Sequence, residues 1–147
     1  MTDFFDSLQV ATRIDGSPYV VSRESIREFC EASLDFNPLH LDDDYAKGRF
    51  GRTTFGGIIM HGMNNFGLIT RMLTDWANEG GGVHRRLETR WLVPVKPGDT
   101  IRPAAEVKAK QRTEKSRWVT MSVEVTNQRG EAVASGEALI EFPTATV

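Results

Sequence analysis

Asp35-Phe36-Asn37-Pro38-Leu39-His40 sets a carboxylate and an imidazole five positions apart, and His61-Gly62 follows an apolar run further along the chain. The first pair can move protons. The second segment can present backbone N–H groups to a developing negative charge. Together they have the makings of an acid/base site for a carbonyl substrate. Taken alone, such a pair more often has a plainer role, with the aspartate ending a helix and the histidine bonding within a loop. The elements that carry them decide between the two readings.

Those elements belong to a chain of 147 residues, 39% hydrophobic, which suffices for one ordinary core and leaves little room for a second. We read residues 1–147 as a single domain. No run of about 18 apolar residues occurs, and the start, Met1-Thr2-Asp3-Phe4-Phe5-Asp6, carries acid where an export signal carries base. A soluble, cytoplasmic protein that neither enters nor spans a membrane is expected. The single cysteine, Cys30, excludes an intramolecular disulfide and fits a reducing compartment. With 18 Lys+Arg against 20 Asp+Glu, no overall field draws the chain to nucleic acid.

Thr12 to Val21 reads as weakly strand-like around a turn at Asp15-Gly16-Ser17-Pro18. Ser22 is an N-cap for a helix from Arg23 to about Ser33, with Ile26, Phe29 and Cys30 on one face. Pro38 disfavours helix at Asn37, so Asp35 to His40 is a turn or extended loop. Asp42-Asp43-Asp44 caps and opens one short helix ending near Gly48. Thr53 to Met60, with Gly56-Gly57, reads as a short buried strand. From Gly62 to about Asn78 the apolar residues Met63, Phe66, Leu68, Ile69, Met72, Leu73, Trp76 and Ala77 cover more than half of a helical wheel, which predicts a mostly buried helix. Four strands follow, Val83 to Val93, Thr100 to Gln111, Arg117 to Thr126 and Glu131 to Phe142. Alternation is clearest in Val119, Met121, Val123 and Val125. The fold class is therefore α+β, a curled antiparallel sheet wrapped around a long central apolar helix. Ala132, Ala134, Gly136 and Ala138 on the last strand should let the sheet approach that helix closely.

The chain resembles the MaoC-like dehydratase and R-specific enoyl-CoA hydratase family, which has the hot-dog fold. The resemblance rests on Asp35-Phe36-Asn37-Pro38-Leu39-His40, on Asp42 and Ala46, on His61-Gly62-Met63, and on Pro94-Val95 with Pro97-Gly98-Asp99. It spans most of the chain. In one place the sequence departs from the pattern: the family commonly has glycine just before the acid, where Leu34 stands here.

The resemblance implies reversible addition of water to a trans-2-enoyl thioester, on coenzyme A or acyl carrier protein, giving a 3-hydroxyacyl thioester, usually the R isomer. It implies no cofactor beyond that carrier, and no metal. The residue types suit the chemistry. A base must take a proton from water as its oxygen reaches C3, and an imidazole, with a reference pKa of about 6.5, is matched to neutral pH. Asp35 and His40, similar to the family's acid/base pair, would hold one water between them. The Gly62 amide, among the first N–H groups of a helix, would donate to the enolate-like oxygen. Asn37 would shape the loop or orient Asp35. His61 would bind or position through its backbone or its ring. A metal held by Asp35, His40, Asp42 and His61 matches no standard spacing.

His84 reads as surface. Arg49, Arg52, Arg85, Arg86 and Arg90 have the chemistry to meet phosphates, but their spacing assigns none to a site. A homodimer is expected, because a lone sheet of this kind has open edges and exposes part of its helix. Two other functions compete: a hot-dog thioesterase, and a non-catalytic acyl-thioester-binding or partner subunit of a heteromeric dehydratase.

Overall fold

The computed structural model describes residues 3–144; Met1, Thr2 and 145–147, which the single-domain reading includes, lie outside the described residues. Two short strands and three helices precede the long helix: α1 (Phe4–Ser7), β1 (Arg13–Asp15), β2 (Tyr19–Val20), α2 (Arg23–Ser33), a single 3-10 turn (Pro38–His40) and α3 (Asp43–Ala46). The long helix is α4 (Gly62–Asn78), followed by β3 (Val83–Trp91), β4 (Thr100–Arg112), β5 (Arg117–Asn127) and β6 (Ala132–Phe142). The strands form one antiparallel sheet in the order β1-β4-β5-β6-β3, with β2 also pairing β4. This is the curled sheet and central helix expected from the pattern.

Alternation on β5 puts Val119, Met121, Val123 and Val125 in the core, where Ile69, Leu73 and Ala77 of α4 are fully buried. Each buried aliphatic side chain of that size contributes about 1.5–3 kcal/mol. The apolar arc of α4 is wider than the face the sheet covers. Met63, Gly67 and Arg71 are exposed, and an open groove of about 740 Å³ runs over Phe29, Met63, Phe66 and Thr70. The expectation of a mostly buried helix holds for its inner face alone.

Three further readings need correction. Thr53 to Met60 is not a strand: Thr53 forms an isolated bridge with Phe50, and further on single bonds go to separate partners, Met60 N–H to the Val95 carbonyl at 2.8 Å and Ile59 N–H to the Leu39 carbonyl at 3.3 Å. Gly56 and Gly57 both have positive φ, 73° and 150°, which breaks the extended ladder. On β6, Ala134 and Ala138 are buried, but Gly136 serves the neighbouring strand: a Cβ there would collide with the Glu88 carbonyl of β3. Finally, α1 was not expected. It is capped by Asp3 and held by its burial of Phe5.

The Pro97-Gly98-Asp99 element acts as a clamp. Gly98 donates to the Val21 carbonyl (2.8 Å) and Val21 to the Asp99 carbonyl (2.9 Å), fixing the end of β2. The Asp99 carboxylate accepts from Lys96 N–H (2.9 Å), Gln128 (2.8 Å) and Arg129 (3.0 Å). Burial works to raise its pKa, but those hydrogen bonds outweigh burial and hold it below the usual carboxylate range.

Helix α2 begins with a reciprocal cap, Ser22 Oγ accepting from Ser25 N–H at 3.0 Å and Ser25 Oγ from Ser22 N–H at 2.9 Å. It ends at Leu34, whose φ of 59° and ψ of 23° are left-handed. Glycine is the usual residue there, because a Cβ in that conformation meets the following carbonyl at a cost of about 1–2 kcal/mol. This explains why glycine is the residue the resemblance leads one to expect. The Leu34 side chain is 77% exposed and contributes little packing in return. Leu34→Gly is expected to raise stability by about 1 kcal/mol in urea titration, after allowing for the extra chain entropy of glycine. A loss of stability would show that the leucine packs against something in solution.

Candidate functional site

The loop after α2 holds its own shape. Asp35 Oδ1 accepts from Asn37 N–H (3.2 Å), and Asn37 Oδ1 accepts from Leu39 N–H (3.0 Å), two successive side-chain turns that lead Pro38 into the 3-10 turn ending at His40. Asn37 therefore shapes the loop and orients Asp35 through its own amide. The Asp35 side chain remains half-exposed.

His40 is buried, and its Nδ1 lies 2.7 Å from the Ile59 carbonyl. A carbonyl can only accept, so Nδ1 carries the proton and Nε2 of the neutral ring keeps its lone pair. This bond joins the loop to the segment that enters α4. The same segment is held from a third side by Asp43, whose Oδ1 accepts from Ile58 N–H at 3.0 Å while its Oδ2 pairs with Arg23 at 2.7 Å. The Ile58 bond, and then Arg23, hold the Asp43 carboxyl below its usual range. The sequence showed Asp43 only as one of three acids in a capping run. Its tie to Ile58 depends on tertiary structure and left no signal.

His61 sits between the two halves. Its ring stacks on that of His40 with centroids 3.6 Å apart and planes 21° from parallel, and Phe29 packs at 4.7 Å. Its Nε2 donates to the Asp35 backbone carbonyl at 3.1 Å, lies 3.6 Å from Cys30 Sγ and 3.9 Å from Asp35 Oδ2. The other nitrogen, Nδ1, is buried without a partner among the described residues. Burial depresses its pKa and the adjacent His40 adds to this, while the bond to the Asp35 carbonyl and the Asp35 charge oppose it; the net shift is downward. His61 is thus a plate against which the His40 ring is held, its charged form disfavoured by burial.

Asp35, His40 and His61 each offer one ligand-type atom within 4.8 Å of the other two, the one such group of three among the described residues. As hydrogen-bonded here, the His61 nitrogen facing Asp35 bears a proton, so His40 Nε2 and the carboxylate are the groups left free. Two unlike proton carriers side by side suit proton transfer better than they suit a cation, which needs a third donor.

Gly62 is the first residue of α4. The Trp91 indole lies against it so closely that a Cβ would fall 2.6 Å from the ring. Gly62 lines a cavity of about 280 Å³ with Phe55, Met60, Asn65, Trp91 and Val93, whose walls do not include Asp35 or His40. The acid, the imidazole and His61 are brought together in space. Gly62 adjoins them through the chain and faces a compartment of its own. Of the arginines, Arg85 pairs with Glu141 and Arg86 with Glu88, while Arg49, Arg52 and Arg90 are exposed.

Residues 8–129 match the sequence profile of the MaoC like domain. The chain is 30% identical over 123 residues to the (R)-specific enoyl-CoA hydratase of Rhodospirillum rubrum, covering 84% of this chain and 81% of that protein. Among solved structures it is similar to a monoamine oxidase regulatory protein from Archaeoglobus (TM-score 0.83, 34% identity, 97% of this chain and 95% of that one). It is also similar to the (R)-hydratase from A. caviae involved in PHA biosynthesis (TM-score 0.78, 28% identity, 93% and 98%). With a profile spanning most of its length, and relatives that share both its sequence and its curled sheet, the chain belongs to the family of MaoC-like domains.

Proposed function

We propose that the protein is a hydratase/dehydratase that adds water reversibly to a trans-2-enoyl thioester, giving a 3-hydroxyacyl thioester, the R isomer by analogy with the named relatives. The observation that carries the reading is the Asp35–His40 pair: both groups lie within 4.8 Å, and the Ile59 carbonyl leaves His40 Nε2 as a free base. In this reading one water is held between the two groups. As its oxygen bonds to C3, the pair takes up the proton released, and the C2–C3 π electrons move toward the thioester oxygen. The pair then returns a proton to C2 on the same face, so no net proton is gained or lost. The enolate-like oxygen needs a fixed donor, and the Gly62 N–H at the head of α4 is the group assigned to it, which requires the thioester to reach from the Asp35–His40 pair into the adjoining compartment that Gly62 lines. Acid/base groups and one amide donor suffice for this reaction, so no cofactor enters beyond the coenzyme A or acyl carrier that bears the acyl group.

A homodimer is part of the proposal. Strand β3 pairs β6 on one side and leaves its other edge open, and the exposed Leu34, Phe36, Met63, Trp91 and Leu92 border the site and that edge. An open, partly apolar edge is a pairing surface. Light scattering is expected to give twice the chain mass at micromolar concentration; an active, stable monomer would contradict the dimer.

The catalytic assignment is tested with crotonyl-CoA by following loss of enoyl-thioester absorbance. Asp35→Asn and His40→Ala should each lower kcat by about 10²–10⁴-fold with the fold intact. Unchanged rates in both variants would sink the assignment, and release of free thiol in place of a hydroxyacyl product would identify a thioesterase.

A further inference from the structure

Asn65 is 4% exposed, and its Oδ1 has no hydrogen-bond partner among the described residues. It lies three residues beyond Gly62, on the same side of α4 and about 4.5 Å further along the axis. Both residues line the 280 Å³ cavity, whose remaining walls, Phe55, Met60, Trp91 and Val93 among them, are mostly apolar. Buried polar atoms are nearly always paired, and an unpaired one costs stability. A leucine would occupy almost the same volume at that position without the cost. The terminal torsion of an asparagine is broad and two-fold, so one rotation presents either the donor or the acceptor to the cavity.

Building on the enoyl-thioester reading, we infer that Asn65 is a specificity residue whose carboxamide hydrogen-bonds a polar group of the bound thioester. That group lies within about one helical turn of the carbonyl held at Gly62, and is an amide or a hydroxyl. It has two possible sources. A carrier arm of the acylated aminoethanethiol type places an amide a few bonds beyond sulfur, and an acyl chain can bear a hydroxyl beyond C3. In either case the cavity discriminates against a thioester lacking the group, because the buried carboxamide is then left unpaired.

The test compares wild type with Asn65→Leu on crotonyl thioesters of coenzyme A, N-acetylcysteamine and propanethiol, and on hydroxylated against plain enoyl-CoA of equal length. If the arm amide is the partner, the variant loses about tenfold in kcat/KM on coenzyme A and N-acetylcysteamine relative to propanethiol. If the acyl hydroxyl is the partner, the same relative loss appears between the hydroxylated and plain chains. The ligand-free variant should also melt at a higher temperature than wild type. Equal losses on every substrate, no loss on any, or a lower melting temperature would overturn the inference. Asn65→Ala, read by the same substrate ratios, substitutes if the leucine variant misfolds. Absence of turnover by the wild-type protein would defeat the hydratase reading and this inference with it, whereas normal turnover with substrate-independent losses would defeat this inference alone.

Discussion

The site depends on a pair of hydrogen bonds between stretches far apart in the chain: His40 Nδ1 to the Ile59 carbonyl, and Ile59 N–H to the Leu39 carbonyl. They fasten the acid/base loop to the segment that begins α4. One of them also fixes which imidazole nitrogen is free. Everything else can be read as support for this junction. Asp43 and Arg23 hold Ile58 from one side, the Val95 carbonyl holds Met60 from another, and α4, packed on the sheet through Ile69, Leu73 and Ala77, is the rigid body to which the junction is attached.

Local costs gather around it. Leu34 is held in a left-handed conformation just before Asp35, and Nδ1 of His61 is enclosed without a partner among the described residues. A protein selected for stability alone would place glycine at the first position and an apolar side chain at the second. Strain and unsatisfied polarity are tolerated where surrounding structure over-determines them and function uses the result. Here they bracket the carboxylate and the ring that face each other.

Much of the fold was legible because burial imposes period. The alternation of Val119 through Val125 and the apolar stripe of Gly62 to Asn78 follow directly from a sheet with one wet face and a helix against the other. The Asp35-to-His40 loop was legible through Pro38. What escaped was what periodicity does not encode. Thr53 to Met60 is as apolar as a strand, yet its bonds go to separate partners, and only the positive φ of Gly56 and Gly57 marks the difference. Gly136 has the composition of a helix-facing residue but is small because a neighbouring strand's carbonyl lies against it. Asp43 acts through Ile58, fifteen residues away, a neighbour that no spacing rule brings near it.

The junction between the loop and α4 is read most directly from one ring. Long-range proton–nitrogen correlation spectra of histidine-labelled protein, near neutral pH, report which nitrogen of His40 carries the proton. The junction predicts protonated Nδ1 and bare Nε2, with the Nδ1 proton slowed in exchange by its bond to Ile59. A neutral His40 protonated on Nε2 would mean that the loop is not fastened to α4 in this way, and that the nitrogen assigned to meet water is already occupied.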